Sequence, residues 1–374
     1  MKSNHLQLKP APHRFRRILV KVGTAVLTRA NGRLDYNIIA DLVDQLAQVV
    51  KAGTEVILVS SGAVGAGREY FRFEGVKDPL IKKQMLSAVG QGRLFQVYAD
   101  YFREQGMTPA QALLTQRDFK DDQGFENIKN TLEHLLTQGV LPIINENDVV
   151  SYAEHSFGDN DQLAAMTAIL MEVELLVILS DIQGFFEADP HRFPEAKLIP
   201  QVKTITPAMW EGCAESFSQG GTGGMFSKLK AAELANSYGI ETVLTYGKKG
   251  DALLQVLAQW GDLKTGTWFQ AKAGAKLAGN RRWVKAAFGP KGVMTLDPGA
   301  VKALRGKDRK SLLAVGIVSC QGKFQPGDLV LLQDEAAIRI GVGLVGVDDQ
   351  QMQAWTKQKP QNQVVIHADH LKLY

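Results

Sequence analysis

"TEVILVSSGAVGAG" (residues 54–67) decides the fold class. It opens as a short apolar run with β-branched residues and breaks into a turn of serines and glycines, which reads as a strand feeding a glycine-rich loop. The same unit recurs on either side. Upstream, "RRILVKVGTAVLT" starts apolar and breaks at Gly23. "YNIIADLVDQLAQVVKAG" then places Ile38, Ile39, Leu42, Val43, Leu46, Val49 and Val50 at helical spacing, with Gly53 as the stop. Downstream come a long helical stretch from about Leu80 to Glu104, a strand in "MTPAQALLT", a strand in "VLPIINEND", a helix in "DNDQLAAMTAILM" and a strand in "LLVILSD". A helix in "GGMFSKLKAAELANSYG" and the strand "IETVLTYG" close the series. Alternation of this kind predicts an α/β fold, a mostly parallel sheet with helices on both faces.

The pattern changes after "NRRWVKAAFG" (280–289). From Gly292 onward, short strand-like runs follow one another between turns: "GVMTLD", "LLAVGIVSCQG", "GDLVLLQ", "AAIRIGVGLVGV" and "QVVIHAD". They predict a small β-rich barrel. The expected organisation is a basic disordered tail over 1–16, a catalytic domain over 17–270, a linker over 271–289 and the barrel over 290–374. A chain of 374 residues suits two domains.

Composition excludes several classes. The chain is 45% apolar and 22% charged, ordinary for a globular protein with a sizeable core. No run of about eighteen apolar residues occurs, so no membrane helix is expected. Cys213 and Cys320 are too few and too far apart for a disulfide framework or a zinc site, which fits a reducing cytoplasm. The first seventeen residues carry Lys2, Lys9, Arg14, Arg16 and Arg17 without an acid, and lack the apolar core of a secretory signal. A net charge of +4 is too weak to argue for nucleic acid. The tail, with eleven basic and eight acidic residues over 290–374, is only mildly basic too.

Every polar or glycine-rich segment with chemical promise follows a strand or opens a helix, where ligands collect in such sheets. Lys21 lies amid apolar strand residues, a costly place unless its ammonium reaches a strand end and an anion. "SSGAVGAG" (60–67) offers amides and hydroxyls to anions. "INEND" (144–148) and "GDND" (158–161) crowd Asn145, Glu146, Asn147, Asp148, Asp159, Asn160 and Asp161 together. Helix capping accounts for one of them, Asp159 or Asn160. The remaining carboxamides and carboxylates suit an ammonium-bearing substrate, the orienting of lysines, or Mg²⁺. "GGTGGMFSK" (220–228) lacks the Gly-Lys-Ser/Thr ending of a P-loop. Its glycines let backbone approach phosphate oxygens, the following helix points its positive end at them, and Lys228 falls within about its first turn.

Taken in order, "VKVGTAVLT", "VSSGAVGAGR", "AVGQGRL", "PIINENDVV", "GDNDQLAA", "LSDIQGFFEADP" and "GTGGMFSKLKAA" resemble the amino acid kinase family. Within it, the resemblance is to members that phosphorylate the side-chain carboxylate of L-glutamate with ATP, the first step of proline synthesis. The tail resembles the PUA domain, frequent in RNA-modifying enzymes. The resemblance implies a three-layer αβα sandwich and a required Mg²⁺ carried by ATP. It implies that Lys21 and Lys228 contact the phosphates while Asp161 holds both lysines. Ser61, Asp148 and Asn160 would bind glutamate. Ser180, Asp181 and the run Thr222, Gly223, Gly224, Met225, Phe226, Ser227 and Lys228 would line the ATP site. A homo-oligomer, dimer or tetramer, and feedback inhibition by proline also accompany the resemblance.

The chain departs from the family in a longer basic start, in a tail shortened between "GVGLVGVDD" and "VVIHAD", and at two loops. "FFEADPH" lacks the Tyr-Thr usual before Ala188-Asp189-Pro190, and Phe226-Ser227 stands where Ser-Thr is common. The alternatives are a family member acting on aspartate, N-acetylglutamate or a nucleotide, and an RNA-binding accessory protein. The acidic cluster argues against a nucleotide acceptor. The tail's low charge and few aromatics argue against RNA.

Overall fold

A computed structural model of the chain describes residues 14–71, 74–151, 159–190, 192–214, 224–272, 290–306 and 310–373. It divides into two compact units, residues 1–279 and 280–374. The linker expected over 271–289 lies outside the described residues from 273 onward, as does nearly all of the expected 1–16 tail.

The first unit is built on one sheet. Its strands are β1 (Arg17–Val22), β2 (Glu55–Ser60), β3 (Pro109–Leu114), β4 (Leu141–Glu146), β5 (Leu175–Ser180), β6 (Gln201–Val202), β7 (Glu241–Tyr246) and β8 (Thr267–Phe269). They lie in the order β3-β4-β2-β1-β5-β7-β8-β6. The six strands from β3 to β7 pair in parallel, and β8 joins β7 antiparallel. Every residue of β1, β4 and β5 is buried, the signature of parallel strands covered on both faces.

The helices are α1 (Thr24–Leu27), α2 (Tyr36–Lys51), α3 (Ala63–Tyr70), α4 (Pro79–Glu104), α5 (Gln116–Lys120), α6 (Asp122–Thr137), α7 (Asn160–Leu170), α8 (Pro207–Ala214), α9 (Met225–Ser237) and α10 (Ala252–Ala258). Strand alternation sorts β1 into two sets. Ile18, Val20 and Val22 share one core with Ile39, Leu42, Val43 and Leu46 of α2, Leu94, Val97 and Tyr98 of α4, and Leu253 of α10. Leu19 and Lys21 turn to the opposite face, which α7 covers and where α9 packs on α7. The three-layer sandwich follows.

The glycines of 60–67 have a second use. Helices α3 and α4 pack so closely that a Cβ on Gly90 would sit 1.9 Å from the Ala63 carbonyl oxygen and 2.3 Å from the Gly67 nitrogen. One on Gly67 would meet the Leu86 carbonyl oxygen at 2.1 Å. Glycine at 67 and 90 therefore serves helix contact rather than phosphate. Gly62, by contrast, caps α3 at φ +107°, a conformation glycine adopts without steric cost.

The second unit is strand-rich. Strands β9 (Gly292–Leu296), β11 (Ile317–Gly322), β12 (Leu329–Asp334), β13 (Arg339–Leu344) and β15 (Leu371–Leu373) form one sheet, and β10 (Leu312–Leu313) pairs with β14 (Val364–Ile366). Met294, Leu296, Phe324, Val330, Leu332 and Ile366 fill its own core. Two helices run between these strands that apolar patterning did not announce, α11 (Pro298–Leu304) and α12 (Asp349–Gln358). Both are capped by aspartate, Asp297 and Asp348.

Candidate active site

The sheet order switches at β1: β2, β4 and the edge strand β3 lie on one side, β5 and β7 on the other. A crevice opens where neighbouring connections diverge, at the carboxyl ends of the strands. There a cleft of about 430 Å³ is lined by Lys21, Gly23 and Thr24 at the end of β1, Ser61 and Gly62 after β2, Asn145, Glu146 and Asp148 at the end of β4, and Ser180 and Asp181 at the end of β5. Asp159, Asn160, Lys83 and Lys228 complete the wall.

Asp161 is the centre of its charge. It is fully buried in the first turn of α7, with the Lys21 ammonium 2.5 Å from Oδ1 and the Lys228 ammonium 3.3 Å from Oδ2. Ser227 Oγ lies 3.0 Å from Oδ2. One carboxylate thus spans two lysines brought from strands and helices more than a hundred residues apart. Burial pushes the Asp161 carboxyl up, but Lys21 and Lys228 outweigh it and hold it below the ordinary carboxylate value. Asp159, the cap of α7, accepts the Asp161 amide at 2.5 Å. Burial and the Asp161 charge push its carboxyl upward.

Three helix starts face this centre with glycine at the cap: Gly23 for α1, Gly62 for α3 and Gly224 for α9, none with a side-chain cap bond. The long helices α2, α4 and α6 are instead capped by Asp35, Asp78 and Asp121. A side-chain cap would occupy the amides an anion needs, so glycine caps at the cleft leave them available. Lys228 is the fourth residue of α9, within its first turn. Phe226, on the same turn, packs edge-on against Trp210 of α8 at 5.1 Å between ring centroids. That contact gives the unusual aromatic a packing role. Thr222 and Gly223 lie outside the described residues.

On the β4 side the site is polar and closely bonded. Asn160 Nδ2 lies 2.9 Å from Ser61 Oγ and 2.8 Å from Asn145 Oδ1. Asn145 donates in turn to Gln91 of α4 at 2.8 Å. Asp148 is gripped at both oxygens by α4: the Lys83 ammonium is 2.9 Å from Oδ1, and Ser87 donates to Oδ2 at 2.8 Å. Ser180 donates to Asp181 at 3.2 Å on the far side.

The structure brings Lys21, Lys228, Asp161, Ser61, Asp148, Asn160, Ser180 and Asp181 to one place. It draws in Asn145, Glu146 and Asp159 of the acidic cluster as well, and it adds Lys83, Ser87 and Gln91 of α4. Residues 83, 87 and 91 recur every four positions and so share one face of α4, but that helix carries polar residues on other faces too, so the spacing alone does not mark them in the sequence. Among the described residues, no group of three or more His, Cys, Asp or Glu is placed to hold a metal ion. Nor is any helix long and apolar enough to cross a membrane.

Residues 16–245 match the model of the amino acid kinase family, and residues 292–363 match that of the PUA domain. The chain belongs to the amino acid kinase family. Among curated relatives, the family member named glutamate 5-kinase in Dehalococcoides mccartyi is 42% identical over 333 residues, 88% of either chain. The glutamate 5-kinase of Shewanella oneidensis is 40% identical over 88% of this chain and 87% of its own. That of Caldanaerobacter subterraneus subsp. tengcongensis is 40% identical over 90% of this chain and 89% of its own. The kinase match spans every cleft residue described above.

Proposed function

We propose that the chain transfers the γ-phosphoryl of ATP to the side-chain carboxylate of L-glutamate, giving L-glutamyl 5-phosphate, the first step of proline synthesis. The observation that carries this reading is Asp161 holding Lys21 and Lys228 on one side of a cleft whose other side is a hydrogen-bonded Ser61–Asn160–Asn145 and Asp148 cluster. Relatives named for the same reaction across most of the chain support it.

The chemistry suits these residues. A side-chain carboxylate is ionised at neutral pH, so no general base is needed; among the described residues the cleft lining contains no histidine. What remains is to position the two reactants in line and to offset charge on the moving phosphoryl group. Lys21 and Lys228 supply positive charge on either side of Asp161, and the glycine-capped helix starts supply amides. Asp161 keeps the two ammonium groups from drifting apart. Ser61, Asn160 and Asp148 hold the amino acid; Ser180, Asp181 and the Thr222–Lys228 run hold the nucleotide.

A Mg²⁺ that arrives on the nucleotide phosphates needs only one or two protein carboxylates. Asp159 and Asp181, the cleft carboxylates beside the phosphoryl centre, are the residues that would face it. When bound, the metal supplies charge neutralisation to the phosphates. A homo-oligomer belongs to the same proposal, supported by exposed Tyr70, Phe71, Leu80, Ile81 and Val89 around the α3–α4 pair. So does feedback inhibition by proline, which a titration of activity against proline reads out.

The test is direct. Incubation with ATP, Mg²⁺, L-glutamate and hydroxylamine should trap the acyl phosphate as the hydroxamate. Turnover with aspartate or N-acetylglutamate but not with glutamate would refute the assignment.

A further inference from the structure

We propose that Lys83 receives the α-carboxylate of the amino acid substrate while Asp148 takes the adjacent ammonium, so that the pair together reads a zwitterionic head. The inference rests on the glutamate reading above and extends it to a residue that reading leaves out.

The layout of the cleft assigns the ends. From the end of β4 to the end of β5 is three strand spacings, about 14 Å. The lysines of the phosphoryl centre, Lys21 and Lys228, gather on Asp161 near β1 and β5. A γ-carboxylate directed at them leaves the amino acid's α-carbon toward β4, among Asn145, Glu146 and Asp148.

That end is acidic. Glu146 and Asp148 would welcome an ammonium and repel the carboxylate attached to the same carbon. A cation has to stand beside them if the substrate carries both charges. Among the described residues lining the cleft, the basic ones are Lys21, Lys83 and Lys228. Two of them are committed to Asp161. Lys83 alone stands at the β4 end, its ammonium 2.9 Å from Asp148 Oδ1.

Structure alone gives Lys83 little reason to be there. Its side chain is 45% exposed, and half-exposed ion pairs contribute little to stability. Asp148 has a second anchor in Ser87, one helical turn further along α4, which fixes its second oxygen. An arriving head of opposite polarity completes an alternating square: ammonium against Asp148, carboxylate against Lys83. Complementarity of that kind serves specificity more than stability. It selects amino acids with both α groups free, and disfavours ligands whose α-carboxylate is masked.

The experiment crosses residue with substrate. Steady-state kinetics of the full chain are measured with MgATP and either L-glutamate or its α-amide, which keeps the γ-carboxylate and the ammonium but loses the α charge. The enzymes are wild type, Lys83→Met and Lys83→Arg. Lys83→Met should raise KM for glutamate about 10- to 100-fold, the range of a hydrogen bond to a charged group, with kcat within about threefold. With the α-amide, wild type and Lys83→Met should have the same kcat/KM. Lys83→Arg should recover part of the glutamate affinity.

Equal losses on both substrates would overturn the proposal, because Lys83 would then act only through the posture of Asp148. So would a wild type that uses glutamate and the amide equally well, a result that needs no variant to fold. An active wild type unaffected by Lys83→Met removes Lys83 and leaves the glutamate reading standing. A wild type inactive on glutamate removes both.

Discussion

Replacing Asp161 with asparagine keeps the shape of the side chain and deletes its charge. The wild-type carboxylate has no exposure, with ammonium groups at 2.5 Å and 3.3 Å from its two oxygens. Asp161→Asn leaves two lysines, 5% and 8% exposed, facing each other across a neutral amide. Removing one partner of a buried pair costs about 3–5 kcal/mol. Both ammonium groups line an open cleft that water enters, so the lower end, about 3 kcal/mol, applies here. For a domain of this size that corresponds to a melting-temperature loss of roughly 6–12 °C. Turnover should fall at least 10²- to 10³-fold, because the cations that offset phosphoryl charge are no longer held in place.

The pH dependence carries a sign that a mere packing defect would not reproduce. The folded-state value of Asp161 is lowered, so its contribution to stability is full above the unfolded carboxylate value near 3.9 and disappears as pH falls through the folded value. The stability gap between wild type and Asp161→Asn should therefore be flat near neutrality and close only in acid below about pH 4. Nucleotide gives a second handle: phosphate supplies the missing negative charge, so saturating MgATP should narrow the gap. Thermal melts from pH 3 to 8, with and without MgATP, and the hydroxamate assay measure all of this. A variant within about 1 kcal/mol of wild type at pH 7, or one keeping more than a tenth of its turnover, would refute the role given to Asp161.

Two further substitutions probe the surroundings. Asp159→Asn retains an N-cap acceptor for the Asp161 amide while removing a buried charge whose folded-state value is raised; the wild-type group costs stability as pH rises through its titration. The variant should be at least as stable as wild type at pH 7 and indistinguishable below about pH 4, as urea midpoints at the two pH values will show. Gly90→Ala places a methyl 1.9 Å from the Ala63 carbonyl oxygen, a backbone atom that cannot rotate away. It should cost about 2–3 kcal/mol by urea denaturation despite alanine's better helix propensity, and should raise KM for glutamate as Gln91 and Ser87 shift with the helix.

How far a site can be read from sequence depends on whether its residues are anomalous where they stand. Lys21 is conspicuous because a lysine inside a wholly buried apolar strand requires a partner. Asp161 is conspicuous for the same reason, opening a helix in which every residue from Leu163 to Leu170 is buried. The strands and helices that carry them announce themselves through continuous apolar runs and regular spacing, and the alternation leaves only one economical architecture. Lys83, Ser87 and Gln91 show no such anomaly. They occupy an amphipathic helix of 26 residues, where a polar side chain ordinarily faces water, and only the packing of α4 beside β4 turns that face toward the cleft. Glycine is ambiguous in another way. The letters at 62 and 67 are identical and five positions apart, yet one permits a positive φ at a helix start and the other permits two backbones to touch. Helix α12 escapes notice because only Met352 of its ten residues is buried, so there is no apolar stripe to detect; its aspartate cap is the one local sign. Residues that are costly where they stand reveal a function from the sequence, whereas residues comfortable in either setting acquire one only through the fold. The second kind, Lys83 above all, is where a family's shared phosphoryl chemistry would be tuned to a particular acceptor.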